Sequence, residues 1–321
     1  MTELKPDVSI IIPTYNGEKY LDSISKTIEP YYKKGYEIIM VDDGSTISDN
    51  ALLLFGERFP NAICKRQDNN GVASARDAGA KIASGEYLQF LDIDDSISSD
   101  KIELQYIRAK KENADLVYSD WRMVIYYDEN DIQYNSVVHS GQQDDYISSL
   151  LEKWWNPPHS YIIKKAAYEK IGGGNQNLVN AQDFDVFIRL AINGCKFIYE
   201  PGLHSFYYRY VNRTSLARGP RNQYWKDTEI VVDNAIKLLQ DKGNLKKEYK
   251  NAAALRLFLV ARNVFKIDRE WNDRIFKKVL SLNPDFVPKH ESKKFKLLYS
   301  IVGYMNSEKI LNSKFLNRKN S

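Results

Sequence analysis

Three carboxylates stand within four residues at Asp92-Ile93-Asp94-Asp95, directly after the short apolar run at 87–91. Such a run reads as a strand buried on both faces. Like charges at that spacing repel unless a cation neutralises them. Hard divalent ions such as Mg²⁺ or Mn²⁺ take oxygen ligands and share them with a substrate phosphate. An aspartate after a strand also caps the next helix, but three in succession exceed what a cap needs. Two more polar groups follow apolar runs: Pro13-Thr14-Tyr15-Asn16 after 8–12, and Asp42-Asp43-Gly44-Ser45 after 36–41. Ligands of open parallel sheets bind at the carboxyl ends of strands. The sequence has no G-x-G-x-x-G after its first strand and no G-x-x-x-x-G-K-[ST], G-x-S-x-G or H-E-x-x-H. That disfavours dinucleotide, P-loop, serine-hydrolase and zincin chemistry. A phosphate-bearing ligand held through a metal remains.

The elements that must position these groups alternate. After the first strand, Leu21, Ile24, Ile28 and Tyr31 recur at helical spacing. Strands are expected at 36–41, 62–65 and 87–91, with helices around 52–55, after Gly71 and at 100–113. Strand-helix alternation with short connections predicts a mostly parallel, Rossmann-like sheet flanked by helices. The middle third is less regular. It predicts strands at 114–119, 122–127, 197–200 and 204–210, and helices at 144–153, 164–170 and 181–192. From about 220 only helical patterns remain, and Gly243 reads as a C′ glycine. The expected organisation is a sheet domain over 1–219, in two parts at 1–113 and 114–219. An all-helical module over 220–321 follows, ending in a basic amphipathic tail at 289–321.

The chain has 321 residues, 43% of them hydrophobic, and only two cysteines, so a disulfide framework or thiolate metal cage is excluded. No run reaches the ~18 apolar residues of a membrane span, and residues 1–7 lack a secretory h-region. A cytoplasmic location is the expectation. The net charge of +4 is concentrated: 289–321 holds eight basic and two acidic residues, and the rest of the chain 38 basic against 40 acidic. A nucleic-acid partner is therefore not expected.

The runs VSIIIPTYNGEKYL, YEIIMVDDGST and NNGVASARDAGAKIASGEYLQFLDIDD resemble the nucleotide-binding half of the inverting glycosyltransferase family 2, with its GT-A fold, over about 7–215. The resemblance implies donor contacts from Pro13, Tyr15 and Asp43 around the nucleobase and from Arg76 near the phosphates. It implies metal and ribose roles for Asp92 and Asp94, with Mn²⁺ or Mg²⁺ as cofactor. NAQDFDVFIRLAINGCKFIYEP is similar to the family's E-D-x-D-x-x-x-R-L segment, which makes Asp183 the catalytic base. YYRYVNRTSLAR resembles the loop that closes on the diphosphate, with Arg209 and Arg213 as its arginines. Three departures stand out: Gln182 replaces the usual glutamate, Asp77 the usual asparagine, and Val211 a frequent histidine, for which His204 is a nearby substitute. An unperturbed aspartate is ionised at neutral pH, so Asp183 is expected to act without special tuning.

The function so implied is inverting, metal-dependent sugar transfer from a nucleoside-diphosphate sugar, with a UDP-sugar favoured. The acceptor would be a hydroxyl of a glycan or lipid-linked molecule in cell-surface polysaccharide synthesis. Trp154 and Trp155, with Gln182, are acceptor-side candidates, and 172–180 is a candidate mobile loop. Phe295, Leu298, Tyr299, Val302 and Met305 or Ile301 recur at helical spacing among lysines. They fit either a peripheral membrane contact or packing on the helical module, and oligomerisation is left open. A catalytically degenerate scaffold and a sugar-phosphate nucleotidyltransferase are the alternatives.

Overall fold

The computed structural model describes residues 7–128, 131–211, 221–289 and 291–316. Its strands are β1 (Val8–Thr14), β2 (Glu37–Asp43), β3 (Ile63–Gln67), β4 (Tyr87–Phe90), β5 (Ser96–Ile97), β6 (Leu116–Asp128), β7 (Asp131–Val138), β8 (Tyr161–Lys164) and β9 (Phe197–Tyr210). They form one sheet in the order β3-β2-β1-β4-β8-β6-β9-β5, with β7 paired to β6. The first four are mutually parallel. β8 then runs antiparallel to both β4 and β6, and β6 runs parallel to β9.

The sequence dictates the first half directly. All seven residues of β1 are buried, as a strand covered by helices on both faces requires. Val8, Ile10 and Ile12 join Ile38 and Met40 in a core with Leu21, Ile24 and Ile28 of α1 (Leu21–Lys33) and Phe55 of α2 (Ala51–Arg58). Each such aliphatic side chain contributes about 1.5–3 kcal/mol of burial free energy. Ile11 serves the other face, where α3 (Val72–Ile82) comes so close that a Cβ on Gly79 would lie 2.4 Å from it.

Two expectations are corrected, and one strand is added. The two strands expected at 114–119 and 122–127 are one, and so are those at 197–200 and 204–210. Their shared ladder shifts register between Tyr118 and Asp120 and again between Asp120 and Trp121. Irregularities of this kind bend a strand without ending its pairing. β7 carries no buried face and therefore no alternation to read; its pairing with β6 alone forms it.

Residues up to Tyr146, with 155–211, make one compact unit; Ile147–Trp154 and the residues from 221 onward make a second. The first unit also holds α4 (Lys101–Glu112), α6 (Lys165–Lys170) and α7 (Gln182–Ile192), while α5 (Tyr146–Glu152) begins at the boundary. The second contains α8 (Arg221–Asp241), α9 (Lys247–Val264), α10 (Arg269–Leu282) and α11 (Lys293–Leu316). Arg256 of α9 donates to the Leu150 and Leu151 carbonyls of α5, which ties 147–154 to the helices. In α11 the residues facing inward are spoken for: Phe295 lies 6.0 Å from Phe258, and Tyr304 stacks on Phe276 at 4.2 Å. Leu298, Tyr299, Val302 and Met305 are half-buried on the same helix, while Leu297 and Ile301 are exposed. Among the described residues no helix is long and apolar enough to cross a membrane.

Candidate functional site

The turns after β1, β2 and β4 are knitted together before any ligand arrives. Asn16, held at φ 50°, donates its backbone N–H to Ser45 Oγ (2.8 Å), and its Oδ1 accepts from the Thr46 N–H (2.9 Å). Gly17 packs against the acidic turn; a Cβ there would lie 2.1 Å from Thr14 Oγ1 and 2.7 Å from Ile93 Cδ1. Pro13 is buried in β1, and Tyr15 just beyond it is 48% exposed. Asp43, buried at the end of β2, accepts from Gln67 Nε2 (2.8 Å), Asn70 N (3.0 Å) and Gly71 N (2.8 Å). Three of its roughly four acceptor positions thus shape the 67–71 turn, where Gly71 supplies the positive φ that starts α3.

Arg76 on α3 is the hinge of the arrangement. Its Nη2 lies 2.7 and 2.9 Å from the two Asp92 oxygens, and its Nη1 lies 2.9 Å from Asp183 Oδ1. Arg76 is 7% exposed, so these are pairs in a low dielectric rather than surface contacts. Asp183 sits in the first turn of α7, a helix entered through Ala181 at φ 57°. A non-glycine residue in that left-handed region is strained and is found mostly where the surrounding structure enforces it. Burial lifts the Asp183 carboxyl above its usual value; Arg76 opposes that and Asp92 adds to it. The expectation of an untuned aspartate is corrected here: desolvation makes Asp183 a stronger base than a free one.

The acidic turn divides its labour. Asp95 is buried, accepts from the Tyr208 N–H (2.8 Å) and lies 3.0 Å from His159 Nδ1. His159 is itself wholly buried against this carboxylate. Burial raises the Asp95 carboxyl and His159 opposes it. Asp94 has no such help. Burial, then Asp95 and Asp92, push its carboxyl well above the usual range, while its own backbone and Lys19 pull the other way. Among the described residues, no three His, Cys, Asp or Glu side chains form a metal cage. A lone carboxylate under negative pressure does fit a divalent cation whose remaining ligands are substrate phosphates and water.

The other candidates are placed as follows. Gln182 turns back to the Leu178 and Val179 carbonyls (2.9 Å each). Asp77 accepts from Tyr168 OH (2.7 Å) and the Gly174 N–H (2.9 Å). With Arg189, which donates to the Ile171 and Gly173 carbonyls, it anchors the start of the 172–180 loop. Trp155 meets Trp121 edge-on at 5.3 Å, whereas Trp154 belongs to the other compact unit. Arg209 is exposed on β9, and Arg213 lies outside the described residues. His204 Nδ1 is 3.0 Å from Ser98 Oγ, at the entry to α4.

Sequence reasoning missed two members of the site, His159 and Tyr207, whose rings stack 6.4 Å apart. It also missed their support. Lys101, fully buried, donates to Gln89 and Gln105, whose amides hold the His159 and Ser160 carbonyls (3.2 and 2.9 Å). Burial drives the Lys101 ammonium well below its usual pKa. The one signal in the sequence was a lone histidine in Asn156-Pro157-Pro158-His159, which has no periodic partner.

Comparison with known proteins agrees with this geometry. The family described as "Glycosyl transferase family 2" matches residues 9–174. The glycosyltransferase GlyG of Streptococcus pneumoniae is 32% identical over 135 residues, covering 41% of this chain and 42% of GlyG. This chain thus spans less than half of that relative. Among solved structures, S. aureus TarS 1-349 in complex with UDP superposes with a TM-score of 0.62 at 15% identity, over 98% of this chain and 92% of that one. The mannosyltransferase PcManGT of Pyrobaculum calidifontis, in complex with GDP-Man and Mn²⁺, gives 0.53 at 16% identity, over 97% and 88%. At such identities the structural likeness speaks for the fold alone, and it is the GT-A type.

Proposed function

The chain belongs to glycosyl transferase family 2, and we propose that it moves a sugar from a nucleoside-diphosphate donor to an acceptor hydroxyl with inversion at the anomeric carbon. The observation that carries this reading is the bridge of Arg76 between Asp92 and Asp183. It sets the base candidate beside the turn that would receive the leaving diphosphate. TarS was solved with UDP and PcManGT with GDP-Man; for this chain a UDP-sugar is the favoured donor.

The nucleobase would lie against Tyr15 and Pro13 and use the remaining acceptor position of Asp43. Asp94, with Asp92, would hold Mn²⁺ or Mg²⁺. When bound, that ion supplies positive charge to the diphosphate as it leaves. Arg209 and Arg213 would add charge-assisted bonds to the same oxygens. Asp183 takes the proton of the acceptor hydroxyl as its oxygen bonds to the anomeric carbon. The bond from that carbon to the phosphate oxygen breaks on the opposite face. One displacement with one base gives inversion. Trp155 would wall the acceptor side, where Gln182 fixes the adjoining loop. Trp154 was the other candidate for that wall.

The experiment is a thermal-shift panel of UDP, GDP, dTDP and CMP, each with and without Mn²⁺. A ligand at a hundredfold excess over its Kd adds about 2.7 kcal/mol of stability. A shift for one nucleoside diphosphate, present only with metal, is the expected result. No shift with any of them would overturn the reading. For a lipid-linked acceptor, the exposed Leu297 and Ile301 beside Lys293 and Lys294 would rest on anionic lipid; unchanged vesicle partition after Leu297→Ser with Ile301→Ser removes that contact.

A further inference from the structure

Tyr207 of β9 opens the YYRYVNRTSLAR segment, whose arginines alone carry an assigned role, and three rings pack against it. Its ring stacks nearly parallel on His159 (centroids 6.4 Å apart, 19° between planes). It meets Trp155 edge-on at 6.0 Å and Trp121 edge-on at 6.4 Å. His159 is wholly buried and seated against Asp95, so the stack rests on the acidic turn itself. Trp121 is in turn locked by its Nε1–H, which donates to Asn156 Oδ1 (3.1 Å). Three neighbouring rings thus limit the positions open to the phenol.

That hydroxyl makes no hydrogen bond to any described residue, although the side chain is half-buried. Its surroundings are acidic. Burial raises its pKa first, and the fields of Asp95, Asp94, Asp92 and Asp183 add to the rise. Tyr207 therefore stays a neutral phenol, an O–H donor among groups that as carboxylates only accept. The nearby cation, Arg76, is committed to Asp92 and Asp183.

The remaining step rests on the glycosyl-transfer reading above. In that reaction the leaving diphosphate sits at Asp92 and Asp94 and the base at Asp183. The breaking and forming bonds meet at one carbon, so the transferred ring must lie between those two ends. Tyr207 adjoins the acidic turn through His159, on which it stacks and which stands 3.0 Å from Asp95. We infer that Tyr207 contacts the transferred pyranosyl unit of the donor, its hydroxyl donating to a sugar oxygen while Trp155 and His159 hold the phenol in place. Without that contact the nucleotide half of the donor would bind as before, and the sugar half would lose a partner.

Tyr207→Phe tests this cleanly, because the hydroxyl bonds nothing within the described chain and the ring packing is kept. Calorimetric titration with Mg²⁺ would compare UDP with UDP-GlcNAc, UDP-glucose and UDP-galactose, and GDP with GDP-mannose. Donor hydrolysis would be followed by release of the nucleoside diphosphate. The expected result is an unchanged Kd for the bare nucleoside diphosphate and about a tenfold loss in kcat/KM for the nucleotide sugar, the scale of one hydrogen bond. Trp155→Phe, which loosens the ring without touching the hydroxyl, should show the same pattern more weakly. Equal losses for bare and sugar-bearing nucleotide would make Tyr207 a packing residue and overturn the inference, as would no loss for either. A wild-type chain that binds no nucleoside diphosphate fails earlier and overturns the transfer reading itself.

Discussion

Both compact units bury charge, and they treat it differently. In the helical unit Glu229 is 6% exposed and closed on every side. Trp271 Nε1 donates to it at 2.7 Å, and Arg274 and Lys278 pair with it at 2.5 and 2.6 Å. Burial pushes its carboxyl up, but Arg274, Lys278 and Trp271 together bring it below the usual value. Arg262 likewise pairs with Glu291 and Glu308. In the sheet unit Asp92, Asp94, Asp95 and Asp183 share Arg76 and a histidine, and Asp94 is left raised with no side-chain hydrogen bond or ion pair among the described residues. Charge that is matched within the chain supports the fold. Charge left unmatched in a half-buried turn would suit the cation that the proposed function calls for.

The contrast can be broken most sharply at Asp183. Asp183→Asn should cut turnover about 10²–10⁴-fold, the usual contribution of a general base, with nucleotide affinity unchanged by calorimetry. Near-normal turnover would remove the base from the mechanism. Next comes Arg76→Met, which leaves two carboxylates facing each other without their cation. Unfolding in urea should show a loss of roughly 3 kcal/mol, and a loss under about 1 kcal/mol would mean that Asp92 and Asp183 are solvated after all.

Asp94→Asn sharpens the comparison through its sign. Removing an unmatched charge should raise the melting temperature of the metal-free protein while weakening Mn²⁺-dependent nucleotide binding more than about tenfold. A lower melting temperature with intact binding would reverse both halves. Glu229→Gln should do the opposite: it should lower stability by about 1 kcal/mol, since its cations are partly exposed, and leave nucleotide affinity alone. The smallest effect is on pH dependence. The depressed Glu229 carboxyl contributes stability that is full above about pH 4.5 and is lost as pH falls through its folded value. The raised Asp94 carboxyl works the other way. The folded, metal-free chain holds that proton longer than the unfolded one, so stability falls as pH rises from about 3.8 through the raised value. Denaturation midpoints of Asp94→Asn and Glu229→Gln across pH 3–7 would separate the two slopes.

The parallel half of the sheet was legible because its signals are local. Buried runs such as 8–12 and 36–41 carry their own evidence, and so do the turns that end them. The long strands of the middle third were not, because bulges near Asp120 interrupt the pattern without interrupting the ladder. In the site, the residue types of Asp92, Asp94 and Asp183 could be read with the family resemblance in hand. The packing of His159 and Tyr207 could not be, since neither a lone histidine nor the first tyrosine of YYRYVNRTSLAR shows by spacing what it meets.

From its sequence alone this chain determined a mostly parallel sheet with helices, a helical C-terminal module and a strand-end cluster of acids in search of a cation. Tertiary structure alone decided which of those acids is answered. Arg76 reaches Asp92 across 16 residues and Asp183 across 107, and His159 reaches Asp95 only because β8 lies beside β4. Periodicity and turn chemistry act over a few residues, whereas the balance of buried charge is set by which strands become neighbours.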